Sequence, residues 1–138
     1  MKLDWQIIRT LLGKFEDESI RDFIGTVGQM PASIRLEDFE KRETAKKEAE
    51  EQEKIVFGHL LLCLDGGFIE GMAIRADGDF RYSYGFHSPR LTLRGHELLE
   101  KLRCKTVWEK IRSGADALGV PLTVETISAI AARVIGEV

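Results

Sequence analysis

The sequence predicts an α+β domain in which helices surround a single β-hairpin, and three observations carry that prediction. Residues 40–54 are dominated by Glu, Lys, Ala and Gln, strong helix formers, in a run that halts at Asp65-Gly66-Gly67. Two alternating apolar runs, 68–76 and 80–86, flank Asp77-Gly78-Asp79, the strongest short-range signal for a chain reversal between strands. Apolar residues at helical spacing fill most of the remaining chain.

The elements follow in order. Residues 3–17 form an amphipathic helix capped by Asp4, with Trp5, Ile8, Leu11, Leu12 and Phe15 on one face. Ile20, Phe23, Ile24 and Val27 predict a short second helix, broken by Gly25, Gly28 and Pro31, and Ile34 to Leu36 alternates as a short strand would. The long helix spans 38–64. Ala45, Ala49, Val56, Leu60 and Cys63 or Leu64 face the core, and Glu43 with Lys47 and Glu50 with Lys54 form a solvated outer face. Met72, Ile74 and Ala76 alternate on the first strand, and Phe80, Tyr82, Tyr84 and Phe86 on the second. Gly85 to Pro89 bends or breaks the second strand before Arg90 and Leu91 resume it. Thr92 caps a helix reaching Leu102, with Leu98, Leu99 and Leu102 inward. A further helix runs from Lys105 to Leu118 and ends at Gly119. Pro121 and Thr123 open the last, with Ile127, Ile130, Ala131 and Val134 as its stripe.

A chain of 138 residues, 43% hydrophobic, suits one domain with a real core. Residues 1–92 hold the helices, long helix and hairpin, and 93–138 a C-terminal helical extension. No apolar run approaches the ~20 residues of a membrane span. The start, Met1-Lys2-Leu3-Asp4, lacks an apolar signal region, so a cytoplasmic location is expected. Two cysteines without a secretory signal predict reduced thiols, Cys63 as a buried hydrophobe.

Helices, a long helix and then a hairpin is the order of a winged helix, in which the helix before the hairpin often enters the major groove while the hairpin reaches flanking backbone. The DNA-facing cations would be Lys41, Arg42, Lys46, Lys47 and Lys54 on the helix, with Arg75, Arg81 and Arg90 on the wing. Six glutamates are interleaved with the helical cations, Asp77 and Asp79 sit at the wing tip, and the net charge is −3. The order of elements favours DNA and local charge opposes it.

Several ordered motifs resemble a family of uncharacterised small bacterial proteins, often prophage-associated. They are Met1 to Trp5, Gly58-His59-Leu60-Leu61-Leu62, Gly67-Phe68-Ile69-Glu70-Gly71, Arg90-Leu91-Thr92 with Gly95-His96-Glu97-Leu98-Leu99, and Thr106-Val107-Trp108. The resemblance implies a winged-helix-like fold and no catalytic residues. The sequence departs from the family pattern at residues 40–54, where the helix is longer and more charged, and at Gly85 to Pro89, which reads as an insertion.

Other features carry a structural meaning beside a chemical one. His59 and Cys63, four apart on a helix, have metal-ligand spacing but lack further ligands, so a packed histidine beside a thiol is expected. His96 near Glu97 and Glu100 sketches an acid–base cluster. The structural alternative is a histidine serving backbone groups at the Thr92 cap, beside a Gly95 that permits close approach. Tyr82, Tyr84 and Phe86 either stack on bases or cover the helices. Gly66-Gly67 lacks the spacing of a phosphate loop. The expectation is a non-enzymatic protein without cofactor or metal. Its partner is double-stranded DNA, as for a transcriptional regulator, or alternatively a protein, including a second copy of itself.

Overall fold

The computed structural model describes residues 1–28, 39–78 and 82–136. The strand expected at Ile34 to Leu36, the helix start at Asp38, and Asp79 and Arg81 at the hairpin tip lie outside the described residues.

Helix α1 (Trp5–Glu16) begins where the Asp4 side chain accepts from the Gln6 backbone N–H, as the sequence predicts, and buries Ile8, Leu11, Leu12 and Phe15. Helix α2 (Ile20–Thr26) buries Ile20 and Ile24. Helix α3 (Phe39–Asp65) is twenty-seven residues long and ends as predicted. Gly67 takes the left-handed conformation (φ 72) while the Phe68 N–H returns to the Cys63 carbonyl. That pairing satisfies carbonyls the last turn would otherwise leave open.

Strands β1 (Ile69–Ala76) and β2 (Tyr82–Leu91) pair antiparallel. Ala76 opposes Tyr82 and Met72 opposes Phe86, after which the register jumps so that Glu70 opposes Arg90. Residues 87–89 therefore face Gly71 alone. The suspected insertion is absorbed as a bulge that bends β2 without ending it. Gly71 (φ 81) and Ser88 (φ 53) take the backbone angles this needs, and a side chain at Gly71 would meet the backbone carbonyls of His87 and Ser88.

Helix α4 (Leu93–Arg103) is capped by Thr92, whose Oγ1 accepts from the Gly95 N–H. Its first turn lies against the start of β1. The Thr92 N–H donates to the Phe68 carbonyl, and Arg94 donates to the Gly66 carbonyl while lying over the Phe68 ring. Gly95 is buried there with no room for a methyl group, the close approach its sequence position predicts. Helix α5 (Lys105–Leu118) ends at Gly119 in the left-handed conformation, and α6 (Val124–Gly136) opens where Thr123 Oγ1 accepts from the Thr126 N–H.

Among the described residues the architecture is thus six helices and one two-stranded antiparallel sheet. Buried side chains from Ile8 to Ala131 form one cluster. It draws Leu11 and Leu12 from α1, Leu60 and Cys63 from α3, Leu99 and Leu102 from α4, Ile111 from α5 and Ile127 from α6. No helix among the described residues is long and apolar enough to cross a membrane.

Candidate nucleic-acid interface

Burial divides α3 into two unlike halves. From Val56 onward it contributes Val56, Phe57, His59, Leu60 and Cys63 to the core, whereas over residues 39–55 only Ala45 is buried. These turns are packed less deeply than the rest of the helix: about half of their residues are exposed, and the remainder, such as Ala49 and Glu53, are half-buried, with Gln52 accepting from the Gly28 N–H. Charge is also sorted along this half. Lys41, Arg42, Lys46 and Lys47 share the first turns with Glu40 and Glu43, while Glu48, Glu50, Glu51 and Glu53 follow as a block before Lys54. At 1.5 Å per residue the two groups are centred about 10 Å apart. Lys46 and Lys47 are exposed, and Lys54 is half-buried. The pairs expected on the outer face, Glu43 with Lys47 and Glu50 with Lys54, do not close to ion-pair distance, so these lysines keep their charge available to a partner.

The wing cations stand differently. Arg75 donates from Nε to Asp77 Oδ1 at 2.7 Å, a carboxylate that holds its guanidinium pKa above the usual value. Arg90 pairs with Glu70, its cross-strand neighbour. Both guanidinium groups are well exposed, 84% and 66%. Solvent-exposed pairs of this kind are worth about 0–1 kcal/mol, so a phosphate competes for them at little cost. The described members of the sequence-predicted set thus fall into four cations in the first turns of α3, Lys54 beyond the glutamate block, and two arginines on the hairpin.

The aromatic stripe of β2 covers the helices. Tyr82 stacks on Phe57 with ring centroids 5.0 Å apart, Tyr84 leans on Phe57 and Phe86, and Arg21 of α2 lies over the Phe86 ring. Tyr84 alone keeps a broad exposed edge, at 46%.

Neither histidine reading that involved chemistry finds a constellation. His59 is fully buried: its Nε2 accepts from the Asp4 N–H at 2.9 Å, and its Nδ1 bonds the Ile55 carbonyl at 2.7 Å. A nitrogen facing an amide N–H must be the unprotonated one, so the ring is neutral with its proton on Nδ1. This bond ties the N-terminal segment to α3. His96 is exposed, and the Thr92 cap is made without its side chain, contrary to the role expected for it. Among the described residues no group of three or more His, Cys, Asp or Glu is placed to hold a metal ion.

Both cysteines are free thiols. Burial pushes the Cys63 thiol up to about 12, whereas Cys104 is exposed between α4 and α5. A thiol-reactive reagent near neutral pH should therefore modify one site per native chain, Cys104, with Cys63 reacting only on unfolding. Thiol titration with and without denaturant, followed by peptide mapping, checks this, and rapid native labelling of Cys63 would contradict it.

A protein family described as hypothetical protein (DUF2513) matches residues 2–121. An uncharacterized protein of Haemophilus influenzae (strain Rd) is 25% identical over 137 residues, which cover 99% of this chain and 98% of its own length. No solved structure matches the chain.

Proposed function

The chain belongs to the DUF2513 family, and from that premise we propose that it is a non-enzymatic winged-helix protein of prophage type that binds double-stranded DNA as a regulator. The observation that carries this reading is the exposed first half of α3, ending in a cationic tip and followed without a break by the core-anchored half and the hairpin. A helix anchored in the core at one end, with exposed Lys46 and Lys47 towards the other, suits insertion beside a polyanion. In this reading Lys41, Arg42, Lys46 and Lys47 neutralise phosphates beside the groove, Arg75 and Arg90 exchange their weak surface contacts for flanking backbone, and Arg81 adds a third cation to the wing by its place in the sequence. The glutamate block from Glu48 to Glu53 repels the duplex and limits how far α3 enters. Modest affinity and strong salt sensitivity follow.

Charge reversal at the tip tests the assignment. Lys46→Glu combined with Lys47→Glu should weaken duplex binding by about a hundredfold or more, since two favourable phosphate contacts become repulsive. Both residues are exposed, so the melting temperature should stay near that of the parent. Unchanged affinity for mixed-sequence duplex in fluorescence anisotropy would remove α3 from the interface.

A second reading, a protein-interaction module on the same scaffold, is favoured by one feature. A groove of about 490 Å³ between α1, α2 and α3 is lined by Ile7, Leu11, Phe23, Ile55 and Val56, with Glu48 and Glu51 at its edge. Apolar surface of that kind suits a protein partner better than a polyanion. Protein whose mass in light scattering rises with concentration, and which shows no affinity for duplex, would favour this reading over the first.

A further inference from the structure

The two tryptophans of the chain, both within motifs singled out in the sequence, come together at a site that shares no residue with the first half of α3. Trp5 at the start of α1 and Trp108 on α5 have ring centroids 6.3 Å apart and are tilted by 60°. They line a cavity of about 400 Å³ with Lys2, Leu3, Asp4 and Gln6 from the N-terminal segment, Arg112 one turn beyond Trp108, and Leu122 from the α5–α6 connection. Trp108 is 7% exposed and Trp5 is half-buried, so Trp5 presents the larger indole surface and Trp108 an edge behind it.

The charges at its rim do not balance. Lys2 and Arg112 are both exposed, and neither meets a carboxylate within ion-pair distance among the described residues. Asp4, the one acidic residue lining the cavity, spends its side chain capping α1 through the Gln6 N–H. Two cations against one carboxylate that is engaged at the helix cap leave the cavity net positive, which raises the local potential for an anion. The Arg112 guanidinium offers the planar fork that matches a carboxylate in two-point contact. Indole faces favour a flat ring, stacked offset or edge-on. The volume is within the range of small-molecule sites.

We propose that this cavity binds a small planar aromatic carboxylate, its ring against Trp5 and Trp108 and its charge on Arg112 and Lys2. The site shares no residue with the cationic tip of α3 or with the hairpin, so it stands or falls independently of the DNA reading.

The test uses 2-naphthoate as the probe and the two indole N–H signals in a nitrogen–proton correlation spectrum of the full chain. Because the chain has two tryptophans, both signals report on this cavity. Naphthoate should shift both in a saturable way at submillimolar to millimolar concentration. The uncharged 2-naphthylmethanol should bind at least about tenfold more weakly, because it gains no charge-assisted contact with the two cations. Combining Lys2→Gln with Arg112→Gln should cost a similar factor while leaving the melting temperature unchanged. Indole signals that do not move at millimolar naphthoate overturn the proposal. So does equal binding of the alcohol, and so does parental affinity in the double variant.

Discussion

Gly95→Ala should destabilise the protein by about 2–3 kcal/mol net and lower its melting temperature by roughly 10 °C. On helix propensity alone the exchange is favourable by about 1 kcal/mol, because alanine loses less backbone entropy. That gain is overwhelmed at this position. A Cβ at Gly95 would fall on the Phe68 carbonyl oxygen, with the Leu91 side chain also within 3.3 Å. The oxygen cannot step aside without cost, since it accepts from the Thr92 N–H at 3.0 Å and belongs to the turn that ends α3. Moving α4 away instead would open the cap and pull Leu98, Leu99 and Leu102 from the core. Gly13→Ala supplies the opposite sign. It also lies in a helix, and nothing lies within 4 Å of a Cβ built there, so the propensity gain should appear as a stabilisation of up to about 1 kcal/mol. Thermal or urea unfolding of both variants reads the contrast, and a Gly95→Ala protein as stable as its parent would contradict the packing described for α4.

The next largest effect is expected at His59. Replacing it with leucine, of similar volume, should cost about 2–3 kcal/mol by leaving the partly buried Asp4 N–H without its acceptor and losing the bond to the Ile55 carbonyl. A packing loss alone would leave the N-terminal segment in place. Loss of the Asp4 bond frees it, so exchange of the Asp4 and Trp5 amide protons should accelerate out of proportion to the global destabilisation. His59→Gln keeps an oxygen that accepts and should recover part of the loss. Equal stability of His59→Leu and the parent would show that the bond contributes nothing.

Much of the fold was legible because its boundaries are made by local chemistry. The Asp4 cap, the Gly67 stop, the Thr92 cap and the left-handed Gly119 each depend on one or two neighbouring residues, and each lies where its residue type predicts. The course of β2 was only partly legible. Gly85 to Pro89 carries breaker residues, yet pairing continues past them because Gly71, on the other strand, accepts the backbone angle that three residues against one demands. No property of 85–89 reveals that compensation. The Arg90–Glu70 pair was hidden for the same reason, since it exists only in the shifted register. The bond between His59 and Asp4 spans 55 residues and leaves no periodic trace. Sequence spacing led to a packed histidine beside a buried thiol, as found, but not to the backbone groups that its two nitrogens serve. Among the candidate contacts, the α3 cations were found by position in the element order, whereas Lys2 and Arg112 acquire meaning only once α1 and α5 bring Trp5 and Trp108 together.

The central claim, that the cationic first turns of α3 meet a polyanionic duplex, is tested most directly by titrating mixed-sequence duplex DNA against the parent protein over a range of salt concentrations. Lys41, Arg42, Lys46 and Lys47, with help from the hairpin arginines, would release counterions from about four phosphates, giving a log–log slope of roughly −3 to −4. A straight line of that steepness, with measurable affinity at low salt, is the predicted result. No binding at low salt with micromolar protein, or an affinity indifferent to salt, would contradict it.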